Sequence, residues 1–453
     1  MDLAKRFRQL VEAGEKAFYN SETEAYERAT RLAAKILRDL AQADQLDAAL
    51  SLEPEWYNRL VKKVEKEEHY HRCFSWHKDA FWEAGRRANK HNPLDVHPAS
   101  DGVIKVAFLA HSGVLLGHTE VMLRVIGDWR EAGAQVRPYF VSLTGIQPEL
   151  KARLQELEIP FAVAPKGLRP VAATEWLRTA LIKTGISTAV WLSTPCWVPY
   201  IFGYGVAAKQ VIWSLKFHAV HMGKDVVHIS QRASGEEFLS INGCPWVPFI
   251  PPYSIKSARI PNAQEIRIER EKFPASVMLC GALAREEILN SREYIAAVIK
   301  ILDAEKGAHF IYSGRKEPSI LARALGGYGL SNRVHYVGWV DTEIYARIID
   351  LYLDPFPYGS GITCIQALCS GTQVVSMWGQ TTLPRTFGSE SWQHGTKIKN
   401  WHVALSEGEY VESALSVLSA RAIKKQPDSR EKIYDFESGR SLRLLQIILG
   451  RSL

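Results

Sequence analysis

The run DPFPYGSGITCIQALC, from Asp354 to Cys369, carries the residue pattern in this chain best suited to holding an anion. Gly359-Ser360-Gly361 opens straight onto a helix-period segment, Ile362 to Cys369. The first N–H groups of such a helix lack intrahelical acceptors and lie where the macrodipole is positive. A phosphate binds there without further help. The same turn also serves as a plain strand-to-helix connection, so its neighbours decide. Two other groupings could do chemistry. His69, His71, Cys73 and His77 lie close in sequence, but no zinc spacing fits them, and Tyr70, Phe74 and Trp76 point to packing. The stretch Trp213-Ser214-Leu215-Lys216-Phe217-His218, with His221 and Lys224 beyond it, could line a site; packing explains it equally well and it receives no catalytic role.

The elements around the turn read as strand, tight loop, helix and strand, from Leu351 through a second strand at Gln373–Met377. Residues 1 to about 95 read as an all-helical domain. Apolar positions such as Leu10, Val11, Ala17 and Phe18, then Ala29, Leu32, Ala33, Ile36, Leu37 and Leu40, fall three and four apart. Ser21 with Glu24 forms a capping box, and further helices are predicted at 54–66 and 75–89. Asn92 to Gly102 is a polar, proline-containing linker. Continuous apolar strands then follow at Ile104–Ala110, Val136–Ser142, Phe161–Ala164, Thr188–Leu192 and Val211–Ser214, with helices near 118–132, 147–157 and 172–183. After Pro251-Pro252 a second series begins, with strands at Val277–Gly281, His309–Ser313, Val334–Val337, Tyr352–Asp354 and Val374–Met377. Apolar strands alternating with helices predict parallel sheets covered on both faces. The expected fold is α/β: two Rossmann-like domains, 103–250 and 251–453, facing across a ligand cleft, behind a helical N-terminus.

Composition limits the function. The 453 residues exceed one ordinary core, and 46% hydrophobic with 23% charged residues is ordinary for a globular protein. The net charge is +7, and the first hundred residues balance at 17 Lys+Arg against 17 Asp+Glu. The excess therefore belongs to the later domains, too mild for nucleic acid and suited to a small anionic ligand. Six cysteines without a CxxC read as reduced core residues, and no signal peptide or transmembrane span is evident, so a cytoplasmic protein is expected.

The ordered set formed by Val340-Asp341-Thr342-Glu343, DPFPYG, Cys369-Ser370-Gly371-Thr372 and Gly379 to Pro384-Arg385 resembles the donor domain of glycosyltransferase family 41. That family comprises the O-GlcNAc transferases and the bacterial adhesin-type protein N-glucosyltransferases. DPFPYG is most similar to the latter. The resemblance is good over about 275–420 and weaker over 103–250. It implies a GT-B, inverting, metal-independent enzyme that moves a hexose or N-acetylhexosamine from a UDP-sugar to a protein side chain. Adhesins and flagellin are acceptors of that kind.

Carried over residue by residue, the resemblance places the diphosphate on Gly359, Ser360, Gly361, Ile362 and Thr363. It sets the uracil against the backbone at Trp339-Val340, with Tyr345 as the nearby ring. Gln366 stands where the family grips the ribose with an acidic residue; an amide can still bond a diol. Ile288 stands where the family has a phosphate-binding lysine, and Arg285, three residues earlier in GALAREEILN, could supply the cation. In the loop from Ala110-His111-Ser112-Gly113 to Gly117-His118-Thr119-Glu120, His118 best matches the family's functional histidine, with His111 as rival. A histidine there could take the acceptor's proton or only sit at a helix start. The first-turn position explains Glu120. No cofactor, metal or nucleic-acid partner is expected.

Overall fold

A computed structural model describes residues 3–20, 22–63, 67–94, 103–192, 196–215, 220–223, 225–230, 237–241, 243–249, 260–357, 359–378, 399–420 and 440–450. Ser21 of the capping box, most of the 92–102 linker, Pro251-Pro252, Lys216 to His218, Lys224 and the Gly379 to Arg385 motif lie outside these residues. The chain divides into two compact units, Met1–Pro251 with Gly439–Leu453, and Pro252–Ser438.

The first unit opens with α1 (Leu3–Tyr19), α2 (Thr23–Gln42), α3 (Leu46–Arg59), α4 (Glu67–Ser75) and α5 (Lys78–His91). These do not form a core of their own. Phe7, Leu37, Trp56 and Phe81 belong to the same buried cluster as Leu109, Trp191 and Ile212 of the sheet that follows. That sheet is built from β1 (Ile104–Ala110), α6 (Gly117–Glu131), β2 (Val136–Ser142), α7 (Pro148–Glu156), β3 (Phe161–Val163), α8 (Pro170–Lys183), β4 (Thr188–Trp191), α9 (Val198–Tyr204), β5 (Lys209–Ser214), β6 (Val226–Ser230), β7 (Leu239–Ile241) and β8 (Cys244–Pro248). Its strand order is β3-β2-β1-β4-β5-β6-β8-β7, parallel throughout except for the antiparallel β7–β8 pair. Helices α5 and α9 cross backbone to backbone. A Cβ on Gly85 would lie 2.6 Å from Tyr204 N, and one on Gly203 would strike the Trp82 carbonyl, so both positions require glycine.

The histidine and cysteine cluster near residue 70 is structural. His77 Nε2 lies 2.8 Å from Glu53 Oε1 with both side chains fully buried, and Glu53 Oε2 accepts the Trp197 backbone N–H at 2.7 Å. Helix α3 starts at Leu46, ahead of the predicted 54, and passes through Pro54. A proline cannot donate to the carbonyl four residues back. The Trp197 indole N–H takes that carbonyl, Leu50 O, at 2.7 Å.

The second unit contains α10 (Ala263–Arg270), β9 (Met278–Ala282), α11 (Glu286–Leu289), α12 (Arg292–Ala304), β10 (Ala308–Tyr312), α13 (Ser319–Gly327), β11 (Val334–Tyr336), α14 (Thr342–Ile348), β12 (Leu351–Leu353), α15 (Ile362–Cys369), β13 (Gln373–Met377), β14 (Trp401–Ala404) and α16 (Glu407–Ser419). Its order is β11-β10-β9-β12-β13-β14, wholly parallel. The core is Tyr294, Val298, Ile301, Phe310, Leu351, Leu353 and Tyr410 with their neighbours.

One boundary differs from the expected 251–453 domain. The last helix, α17 (Arg440–Leu449), belongs to the first unit. Its Leu444, Leu445, Ile447 and Ile448 are buried, the Trp129 indole donates to Ser441 O at 2.6 Å, and Ser441 Oγ donates to Asp128 Oδ2 at 2.5 Å. An amphipathic C-terminal helix must cover some apolar face, and here the face is that of α6 and β4. Among the described residues no helix is long and apolar enough to cross a membrane, and none of the six cysteines is in a disulfide.

Candidate functional site

Both sheets reverse direction of strand addition beside their first strand, and in such sheets ligands bind at the carboxyl ends of the strands flanking that point. In the second unit the flanking strands are β9 and β12, with Leu351 beside Cys280 and Tyr352 beside Gly281. The loops leaving them are Leu283–Arg285 and Asp354–Gly361. The turn singled out from the sequence therefore sits at the switch point.

A polar relay shapes this turn from beneath. The Leu283 N–H donates to Tyr352 Oη at 3.2 Å, the Tyr352 hydroxyl donates to Ser360 Oγ at 2.7 Å, and Ser360 donates from both Oγ and N to Asp354 Oδ1 at 2.8 Å. Thr363 Oγ1 lies 2.9 Å from Tyr352 Oη and donates to Leu283 O at 2.6 Å. Burial pushes the Tyr352 hydroxyl well above its ordinary pKa, with the Cys364 and Asp354 charges adding to the shift, so it stays a donor. Asp354 is fully buried. The side chains of Ser360 and Thr363 are thus spent on building the turn and tying it to the loop after β9.

What the turn leaves uncommitted is backbone. Gly359 has φ of 72° and Gly361 φ of 61° with ψ of −116°, conformations that favour glycine. Among the described residues, a Cβ on Gly361 would meet no other group within 4 Å. The N–H groups of Gly361, Ile362 and Thr363 have no acceptor among the described residues, whereas those of Cys364 and Ile365 bond Gly361 O at 3.1 and 3.2 Å. Three uncommitted donors thus stand at a helix start, the arrangement that suits an anion.

Arg285 flanks this cradle. It precedes α11, its carbonyl accepts the Ile288 N–H at 3.0 Å, and its half-buried guanidinium has no carboxylate partner among the described residues. Ile288 is half-buried in α11 and offers no charge. If Arg285 meets a diphosphate, Arg285→Ala weakens UDP by roughly 1.5–3 kcal/mol and leaves uridine nearly unaffected. Paired calorimetric titrations check this; equal losses for both ligands place the phosphate elsewhere.

The remaining donor-side residues are arranged differently from the expectation. Tyr345 is 4% exposed, and its hydroxyl donates to Glu269 Oε2 at 2.8 Å, so its ring packs between α14 and α10 and presents no open face. Gln366 turns its Nε2 to Glu343 Oε1 at 3.0 Å, and Arg347 pairs with Glu343 Oε2 at 2.6 Å. Glu343, which appears above only within a motif, is therefore the carboxylate beside Gln366. Val340 is half-buried, next to Trp339, which is 63% exposed with the Arg315 guanidinium 5.0 Å from its ring centroid. No sequence signal separates that exposed ring from Tyr345.

In the first unit, His118 is the second residue of α6 and is half-buried. Thr119 ties the helix start: its Oγ1 accepts the Leu116 N–H at 2.8 Å and lies 2.8 Å from the Val114 carbonyl. The rival His111 packs edge-on against Trp197 at 4.5 Å, and burial lowers its pKa to about 4, a poor proton acceptor at neutral pH. Trp213 is buried in β5, while the His221 ring stacks on His228 at 4.4 Å. Among the described residues no three His, Cys, Asp or Glu side chains gather as a metal site.

No family model and no curated protein matches the chain. Solved structures do. An O-GlcNAc transferase mutant from Thermobaculum terrenum is 17% identical, with 99% of this chain and 94% of that one covered at a TM-score of 0.55. A glycosyltransferase from Rickettsia africae is 15% identical over 78% of this chain and 100% of its own, also at 0.55. Anabaena Alr3699/HepE, in complex with UDP and glucose, is 15% identical over 77% and 98%, at 0.54. At these identities the likeness establishes the fold: this chain has the GT-B fold, with two parallel-sheet units and a helical N-terminal region.

Proposed function

We propose that this chain is a glycosyltransferase that moves a hexose or N-acetylhexosamine from a UDP-sugar to a protein side chain, with inversion and without a divalent metal. The observation that carries the reading is the open backbone cradle of Gly361, Ile362 and Thr363 at the switch point of the second unit. The UDP and glucose bound by HepE and the activity named for the Thermobaculum protein support the choice of donor. The protein acceptor follows the family resemblance, and unpaired cysteines agree with a cytoplasmic setting.

In this mechanism the acceptor's oxygen or nitrogen forms a bond to the anomeric carbon while the bond from that carbon to the diphosphate oxygen breaks. The acceptor's proton passes to His118, and UDP leaves. The helix-start N–H groups and Arg285 stabilise the charge that grows on the diphosphate. The two hydroxyls nearest the cradle are committed to the turn, which also fits a relative that binds nucleotide without turning it over. UDP release from a panel of UDP-sugars separates the two readings. Turnover that persists in EDTA is the expected result. Turnover lost in EDTA and restored by magnesium removes the metal-free mechanism, and binding without any turnover favours the second reading.

A further inference from the structure

The strand at one edge of the second sheet, β11, pairs with β10 only through Phe310 with Val334, Ile311 with His335 and Tyr312 with Tyr336. A side-chain bond supplements this short ladder. His309 Nδ1 on β10 lies 2.9 Å from His335 Nε2 on β11. The ring centroids are 5.1 Å apart with 18° between the planes, so the nitrogens approach far closer than the rings and the imidazoles meet edge to edge. One nitrogen must donate and the other accept. Buried Phe273, from the connection before β9, packs at a steep angle on His335, 5.2 Å between ring centroids.

The charges around the pair do not invite further protons. Arg333 closes the amino end of β11, with its guanidinium on the carbonyls of Glu305, Lys306 and Ala308, and Lys306 is paired with Asp303. Beside β9, Asp350 accepts the Leu279 N–H at 2.8 Å. On α10, Glu269 is held by Lys272 and the Tyr345 hydroxyl, while Arg270 turns to the carbonyls of Phe273, Pro274 and Val277. Among the described residues neither imidazole has a carboxylate within ion-pair reach. Burial lowers both pKa values, helped at His309 by the Arg333 charge and at His335 by the charge on His309. Valine or isoleucine would suit a half-buried edge strand better, whereas histidine is the side chain whose charge ordinarily changes between about pH 5 and 8.

We propose that His309 and His335 form a proton-operated latch on β11, closed while the two facing nitrogens share one proton and open when both imidazoles are charged. The neutral pair, and the pair with one added proton, each keep a lone pair to accept the bond. A second added proton makes both facing nitrogens donors and sets like charges against each other. The latch therefore contributes fully above the ordinary histidine range and is lost as pH falls through the lowered values of the coupled pair. The open state holds one proton more than the closed one, so opening becomes about tenfold easier for each pH unit in that range. The loop leaving β11, Val337 to Asp341, is the one the family resemblance sets beside the nucleotide, so opening also weakens the donor. That consequence rests on the UDP-sugar reading above; the latch itself does not.

The test is hydrogen exchange read by mass spectrometry on the full chain at about pH 7.5 and about pH 5, corrected for the intrinsic pH dependence of exchange. In the parent, peptides covering β11 and its outgoing loop are expected to lose protection about tenfold or more in acid, while those covering β12 and β13 of the same sheet keep theirs. His335→Gln, whose amide can accept from His309 in either charge state, is expected to keep β11 protected at both pH values. Calorimetric titration of UDP is expected to lose more affinity in acid for the parent than for His335→Gln, a comparison that cancels the ionisation of UDP itself. Protection of β11 in the parent that is unchanged in acid, or that falls together with β12 and β13, overturns the latch whether or not the variant folds, and an equal fall in His335→Gln also overturns it. Acid opening confined to β11, with no UDP bound at either pH, upholds the latch and overturns the UDP-sugar reading.

Discussion

Gly361→Asp is expected to remove most of the affinity for UDP, while the equally large Gly361→Asn loses much less. At φ of 61° and ψ of −116° both substitutions strain the backbone, and asparagine tolerates positive φ about as well as aspartate. The difference between them is charge. No atom of the described residues fills the space a side chain would enter at Gly361, so the carboxylate would stand where the proposed site holds a diphosphate. Like charges about 4 Å apart repel by about 1 kcal/mol in water and about 4 kcal/mol near a protein surface, which spans roughly a five- to thousandfold rise in Kd. Thr363→Ala is expected to act more weakly. Its hydroxyl serves Leu283 O and Tyr352, so its loss costs about 1 kcal/mol of stability and reaches the ligand only through the shape of the turn. Equal Kd values for the Asp and Asn variants would remove this turn from the site.

His118→Ala is expected to lower kcat about 10²–10⁴-fold, the ordinary worth of a general base, and leave the Kd for UDP nearly unchanged. Thr119 ties the start of α6 through its own side chain, and the substitution leaves those bonds in place. His111, packed on Trp197 with its pKa lowered to about 4, is the control. His111→Ala is expected to reduce thermal stability more than kcat. Rapid-quench turnover alongside UDP calorimetry reads both quantities. An unchanged kcat in His118→Ala gives the proton to another group.

The strands that could be read from sequence are those whose pattern is self-sufficient. β1, β2 and β13 have the residue ranges expected of continuous apolar runs, and the strand, turn and helix around Gly361 stand as their local pattern dictates. What was not legible depends on partners far along the chain. The helix expected over 54–66 begins at Leu46 instead, and Trp197, 143 residues after Pro54, makes the proline tolerable by satisfying Leu50 O. The last three strands of the first sheet, β6, β7 and β8, are short, and Pro245 and Pro248 interrupt the pattern that would reveal β8. The amphipathic pattern of α17 predicts a helix but not the sheet it covers. The site divides in the same way. The cradle is local and was visible, whereas Tyr345 is buried by Glu269, 76 residues upstream, and Gln366 is taken by Glu343 from another helix.

The central claim is transfer of a sugar from a UDP-linked donor, and intact-mass spectrometry of the complete reaction measures it most directly. The chain is incubated with UDP-hexoses and UDP-N-acetylhexosamines and, in separate arms, with candidate polypeptides, a free glycan and a lipid. The expected product is a polypeptide heavier by one hexose or N-acetylhexosamine residue, formed with UDP and lost in Gly361→Asp. A shift on the glycan or lipid alone would contradict the acceptor assignment. Donors left intact in every arm would contradict the account at its root.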